Sequence, residues 1–401
     1  MGALYNVWEL PLHEYDENVV RDYLVREAPD WGGVSIAGVA KYLGYFLGPA
    51  RESQSWTGPV SKYLERAKTW GKLGLGMLIT LQAYQVYMCS VLQFVAQLEP
   101  LPEHFLDKER QAVQALFPGP TAWIVPSCLK DARYMHLPIA LMDMQAIAIA
   151  AKVRAMRCEN LAEGGLQVSM RANRLLENFH GDCSLRHMHW CRAWGQNSFL
   201  FHLRESDIEL RRKLRENPGT DLILHKREGL QKRICKFCRT TAVGDACKHL
   251  RRRLDRWALN IMPGHRVQRA LRVLEVLQRM TSPRVQASYL RTICDGWCTR
   301  RRFQSRGGCA FGCGRGEDSL SHFACCSVVA ELFVNGIHLP GSRGPGALDV
   351  LLCMTSAEEE VAARGVGLYA LYRLYNSIRY NVFQPHEFQD VFSGFVREGR
   401  R

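Results

Sequence analysis

The sequence predicts a mainly α protein with a short β hairpin near the N-terminus and a small cysteine- and histidine-rich module near the C-terminus. Three observations carry that expectation. Apolar residues recur at helical spacing in several windows, among them Tyr63, Leu64, Ala67 and Trp70, and Val267, Leu271, Leu274 and Leu277. A short run at 41–47, KYLGYFL, is strand-like and aromatic, and Gly48 and Pro49 close it. Residues 309–326, CAFGCGRGEDSLSHFACC, set Cys309, Cys313, His322 and Cys326 in a C-x3-C-x8-H-x3-C array.

Composition bounds the rest. The chain has 401 residues, 47% hydrophobic and 23% charged, which is the balance of a folded protein with room for two or three domains. Its 15 cysteines follow no basic n-region or cleavage-type segment, so they read as metal ligands and buried thiols in a reducing nuclear or cytoplasmic compartment, not as a secreted disulfide framework. The net charge of +14 is unevenly placed. Residues 1–150 hold 12 basic and 15 acidic side chains, whereas residues 200–306 hold 26 basic and 10 acidic ones. Such a field most commonly meets phosphate.

Along the chain, residues 16–27 form a modest helix with Val19, Val20, Tyr23 and Leu24 on one face. Residues 55–70 form an amphipathic helix with Pro59 near its start and Lys62, Arg66 and Lys68 on the polar side. Residues 73–98 carry no charge, long enough to raise a membrane span. Gln82, Gln85, Gln93 and Gln97 instead share one polar stripe, which predicts a helix buried on most sides and no membrane partner. Helices follow over 104–116 and 139–157. Farther on, Leu250, Leu254, Trp257, Ala258 and Ile261 make an apolar face, with Arg251, Arg252, Arg253 and Arg256 projecting from the rest of the same helix. Paired guanidinium donors suit a phosphate backbone. A helix opened by Ser282 and Pro283 leads into CDGWCTRRRFQSRGG, where Arg300, Arg301, Arg302 and Arg306 supply charge. Trp297, Phe303 and Phe311 offer flat surfaces for an unpaired base, or, for Trp297 and Phe311, the small core that a metal module needs. The tail, 357–380, is helical again and is expected to pack on the module, which alone buries little apolar surface.

The array at 309–326 has the donor types of a structural zinc site, two close pairs flanking a short polar loop with Gly312, Gly314 and Gly316 where the backbone must turn. Cys325 competes with Cys326 for the fourth place, and Cys294 and Cys298 could also donate. A second array, Cys235, Cys238, Cys247 and His249, competes with a plain helix over LQKRICKFC. Cys183, His187 and Cys191 would share a helical face, but one that spans too far to chelate a single ion.

The order KYLGYFLGP (41–49), Trp56, PVSKYLERAKTW (59–70), LQAYQVYMCSVLQFVAQLEPLP (81–102) and TAWIVPSCL (121–129) resembles the region after the catalytic palm of non-LTR, LINE-type retrotransposon reverse transcriptases. The array at 309–326 resembles the Cys-Cys-His-Cys knuckle near the C-terminus of those polyproteins. Together the matches span about 35–330.

That resemblance implies a division of labour. Residues 1–50 would be the end of the palm and a primer-grip hairpin, with Lys41, Tyr42 and Gly44 near the primer. Residues 51–135 would be thumb helices that close on duplex through Lys62 and Arg66. A basic helical region would fill 136–256, arginine-rich helices and the zinc knuckle 257–345, and a helical tail 346–401, with RNA or DNA as partner. Two-metal polymerisation needs clustered carboxylates, yet the chain has no Asp-Asp pair. The expectation is therefore a nucleic-acid-binding C-terminal fragment, inactive alone and lacking a palm upstream. The competing reading is a zinc-stabilised helical module that binds a protein and no nucleic acid.

Overall fold

The computed structural model describes residues 14–33, 35, 39–42, 44–47, 51–120, 123–158, 199–217, 228–240, 245–337, 345–354, 357–380 and 383–400. Helices dominate it, and the described strands form one two-stranded antiparallel sheet. Cys183, His187 and Cys191, weighed above and set aside as metal ligands, lie outside the described residues. Contacts divide the chain into two compact units, one of residues 1–66, 87–108 and 143–241, the other of 67–86, 109–142 and 242–401. These units interleave along the chain and so cut across the five sequential segments expected above.

In the first unit the strands Ala40–Tyr42 and Tyr45–Leu47 pair with Lys41 opposite Phe46. Their turn needs Gly44, whose φ is 91° and whose missing side chain leaves room for Phe94. Tyr45 stacks on Phe94 at 4.3 Å between centroids and donates its hydroxyl hydrogen to the Phe94 carbonyl at 2.8 Å. The core of this unit is a three-helix packing of Met144–Cys158, Phe199–Arg215 and Leu230–Thr240. Ala146 and Ala150 let the first helix approach closely, and Val153, Leu210, Leu214, Ile234 and Phe237 fill the space. A buried ion pair, Arg51 to Glu99 at 3.2 Å, lies elsewhere in the same unit.

The second unit stacks the helices Pro263–Met280, Pro283–Ile293, Ser327–Ile337, Glu358–Arg379 and Phe388–Gly399. Close approach has a sequence cause: a Cβ on Gly367 would stand 2.3 Å from the Ile337 side chain, and one on Gly365 2.4 Å from Leu277. Pro at the first helical position opens both Pro263–Met280 and Pro283–Ile293. The helix expected over 357–380 is present as Glu358–Arg379, with Val361, Leu368, Leu371 and Tyr375 buried.

The apolar run at 73–98 is helical from Met77 to Gln93, with a π-helical turn at Tyr84–Met88, and ends in a 3-10 turn, Val95–Gln97. From Met77 on it is buried on most sides, with one exposed stripe of Ile79, Gln82, Val86, Tyr87, Ser90 and Phe94. Among the described residues no helix is long and apolar enough to cross a membrane.

Candidate metal centre

Four side chains converge at the end of the helix-to-helix connection after Ile293. The donor atoms of Cys309, Cys313, His322 and Cys326 all lie within 4.8 Å of one another. Cys309 and Cys326 place their sulfurs 3.8 Å apart, and Cys313 Sγ lies 3.2 Å from His322 Nε2. A tetrahedron with metal–sulfur bonds near 2.3 Å has edges of about 3.8 Å, so the spacing suits one ion held by all four. Among the described residues this is the one group of three or more His, Cys or carboxylate side chains close enough to hold a metal.

Local sequence explains the shape. Gly312, Gly314 and Gly316 all take positive φ, 74°, 69° and 72°. At Gly316 the demand is double, because a Cβ there would stand 2.2 Å from Nδ1 of His322. The glycine is thus the cradle in which the imidazole sits. An isolated antiparallel bridge between Gly308 and Glu317 closes the loop. Ser319 then caps the short helix Leu320–Phe323 by accepting from the His322 backbone N–H at 3.2 Å, which fixes the backbone of the third donor.

Cys326 is the fourth member of the group. Cys326 is buried just before the helix Ser327–Ile337, whereas Cys325 is exposed, with its thiol 3.9 Å from the Gly346 carbonyl. A hydrogen bond from Cys309 holds the Cys326 thiol below its ordinary value, and the backbone N–H groups of Val329 and Val328 at the helix start add to this. The same hydrogen bond raises the Cys309 thiol. Cys294 is fully buried and pushed up to about 12 by desolvation, the state of an inert structural thiol.

Two of the three aromatic residues, Trp297 and Phe311, are core. Trp297 is fully buried and Phe311 nearly so. Phe323 meets Phe311 edge-on at 5.0 Å, and Tyr375 lies 5.2 Å from Trp297 and 5.6 Å from Phe323. Beneath them is a buried carboxylate, Asp318, whose Oδ2 accepts from the Arg300 backbone N–H at 2.9 Å and from the Tyr375 hydroxyl at 3.1 Å. Asp318 and Tyr375 were not among the expected site residues. The position of Asp318 between the donors is the signal that could have pointed to it.

The arginines divide into two groups. Arg300, Arg301 and Arg306 are exposed, Arg301 pairs with Glu317 at 2.8 Å, and Phe303 is 56% exposed on the turn Arg301–Phe303. Arg302 is drawn inward to Asp295 at 3.2 Å. Arg251 and Arg252 are exposed on the helix Asp245–Leu254. Arg256 is exposed too, but beyond the helix end, because the helix stops at Leu254, short of the Trp257, Ala258 and Ile261 expected on its apolar face. Arg253 corrects the expectation: it is 3% exposed, and burial lowers its pKa. It falls on the inner face beside Leu250 and Leu254, which no charge count reveals.

Of the residues implied by resemblance, Lys41 is exposed with Nζ 5.9 Å from the Phe46 ring, and Tyr42 lies in the first strand. Lys62 is exposed, and Arg66 donates to the Tyr87 carbonyl. Cys235 and Cys238 pack in the apolar core of the first unit, and desolvation raises both thiols, Cys235 to about 11. His249 donates from Nε2 to the Trp123 carbonyl at 3.2 Å. Cys235 and Cys238 lie in the first unit, Cys247 and His249 in the second. The chain matches no family model, no curated protein and no solved structure.

Proposed function

We propose that the chain is the nucleic-acid-binding C-terminal part of a LINE-type reverse transcriptase, without its catalytic palm, and that Cys309, Cys313, His322 and Cys326 hold a structural zinc ion. The observation that carries the binding reading is Phe303, an exposed aromatic ring on the same turn as exposed Arg301, beside exposed Arg300 and Arg306. A flat apolar ring among guanidinium groups provides a stacking platform and a phosphate track together, the combination that single-stranded nucleic acid requires. Three thiols and an imidazole at tetrahedral spacing favour zinc over hard cations, which prefer oxygen. Zinc here supplies folding energy and no chemistry. Thiolate donors of this kind belong in a reducing nuclear or cytoplasmic compartment.

The deciding experiment is a filter-binding titration of the full chain with single-stranded RNA over a salt series. Binding that weakens steeply with salt, and that drops about tenfold in Phe303→Ala and in the double change Arg300→Gln and Arg301→Gln, supports the reading. Absence of binding at low salt would sink it. Primer extension by the isolated chain is expected to stay at background.

A further inference from the structure

The second unit contains a cleft of about 840 Å³ to which none of the metal donors contributes. Its wall is apolar, formed by Leu75, Met77, Leu78, Ile79, Leu116 and Phe117. Ile79 is 53% and Leu75 38% exposed, large apolar side chains left facing solvent where the cleft opens. Size and lining are those of a small-molecule site, an apolar body with a few polar groups to orient the guest.

The polar groups are three arginines against one carboxylate: Arg284, Arg291, Arg373 and Glu398. Glu398 Oε1 accepts from Arg284 Nη1 at 2.5 Å and from Arg373 Nη1 at 3.4 Å. Two guanidinium groups therefore already converge on a single carboxylate oxygen. The Arg373 guanidinium lies 4.7 Å from the Phe395 ring and donates to the Tyr369 hydroxyl at 3.1 Å, so its position is fixed. Arg291 lies 4.6 Å from the Trp123 ring and 5.6 Å from the Tyr372 ring, donates to the Tyr372 hydroxyl, and has no carboxylate partner among the described residues. Positive charge at the cleft exceeds negative, and its wall offers little to the edges of nucleic acid bases.

We infer that this cleft binds a small amphipathic anion, an acyl or aromatic body ending in a carboxylate or phosphate. The apolar body lies along the Leu75 to Ile79 wall. The anionic head takes the place that Glu398 holds between Arg284 and Arg373. Glu398 is then an internal competitor, a stand-in for the head group. The inference does not depend on nucleic-acid binding, since it uses none of the same residues.

Calorimetric titration of the full chain with decanoate, decyl phosphate, decanol and decyltrimethylammonium, each below its micellar concentration, tests this. Both anions are expected to bind at least about tenfold more tightly than decanol and the cation, and their ranking tells carboxylate from phosphate. Arg284→Gln, at a side chain 67% exposed, should weaken the anions severalfold and leave decanol unchanged. Glu398→Gln should strengthen them. Ile79→Asp, at an exposed wall position, should weaken every decyl ligand. Equal affinity for decanoate and decanol, weaker anion binding in a folded Glu398→Gln protein, or no binding at all would overturn the proposal.

Discussion

The Tyr375 hydroxyl donates to the buried carboxylate of Asp318 at 3.1 Å, joining the helix Glu358–Arg379 to the loop that carries the metal donors. Hydrogen bonds to a buried charge contribute about 1.5–3 kcal/mol, more than neutral ones. Tyr375→Phe keeps the ring that packs on Phe323 and removes the hydroxyl, which also lies 3.1 Å from the Cys298 carbonyl. The variant is expected to lose about 2 kcal/mol in urea unfolding with zinc present. Unchanged stability would mean that the aromatic contacts alone hold the module to the helix.

Metal content separates ligands from bystanders. Wild-type protein and Cys325→Ser are expected to carry one zinc per chain by elemental analysis, while Cys313→Ser, His322→Ala and Cys326→Ser carry close to none. Zinc-free wild-type protein, purified after growth with zinc supplied, would refute the assignment.

Gly316 gives a sharper test because it donates nothing. Gly316→Ala forces a Cβ to 2.2 Å from His322 Nδ1 at a backbone φ of 72°. Metal affinity should fall at least about tenfold with every donor intact. Gly308→Ala is the control, since the nearest atom to its new Cβ is 4.0 Å away. Competition with a chromophoric zinc chelator reads both.

Acid should weaken the second unit through His249. Burial holds this imidazole at about 4, against about 6.5 in an unfolded chain. The ring is neutral, with Nε2 donating to Trp123 and Nδ1 accepting from Arg252 at 3.3 Å. As pH falls, the unfolded chain takes up this proton first. The stability is therefore fully present above about 6.5 and is lost as pH falls toward 4, on the order of 3 kcal/mol in all. His249→Gln should reduce the difference between unfolding free energies measured at about pH 7.5 and about pH 5. A difference as large as the parent's would show that other groups carry it.

What the sequence made legible was local. The C-x3-C-x8-H-x3-C spacing and its glycines, the hairpin around Gly44 and the helix Glu358–Arg379 are each set by residues a few positions apart. The helix Phe388–Gly399 could have been read from Phe388, Phe392 and Val396, spaced by four. Long-range facts were illegible. Nothing local pairs Asp318 with Tyr375, 57 positions away, or turns Arg253 inward while Arg251 and Arg252 face out. The uncharged run at 73–98 was legible in its burial, but its π-helical turn at Tyr84–Met88 was not, since no residue type marks such a turn.

The ribosome meets Asp318 and Tyr375 in a fixed order. All four metal donors are synthesised before Tyr375, and about 50 residues of chain separate Cys326 from it. At roughly 5–20 residues per second that interval lasts about 3–10 s. During it the donors can meet an ion while Asp318 still lacks its hydroxyl partner and Phe323 its covering ring. Metal capture can thus come first, with the late helix locking the nascent module shut.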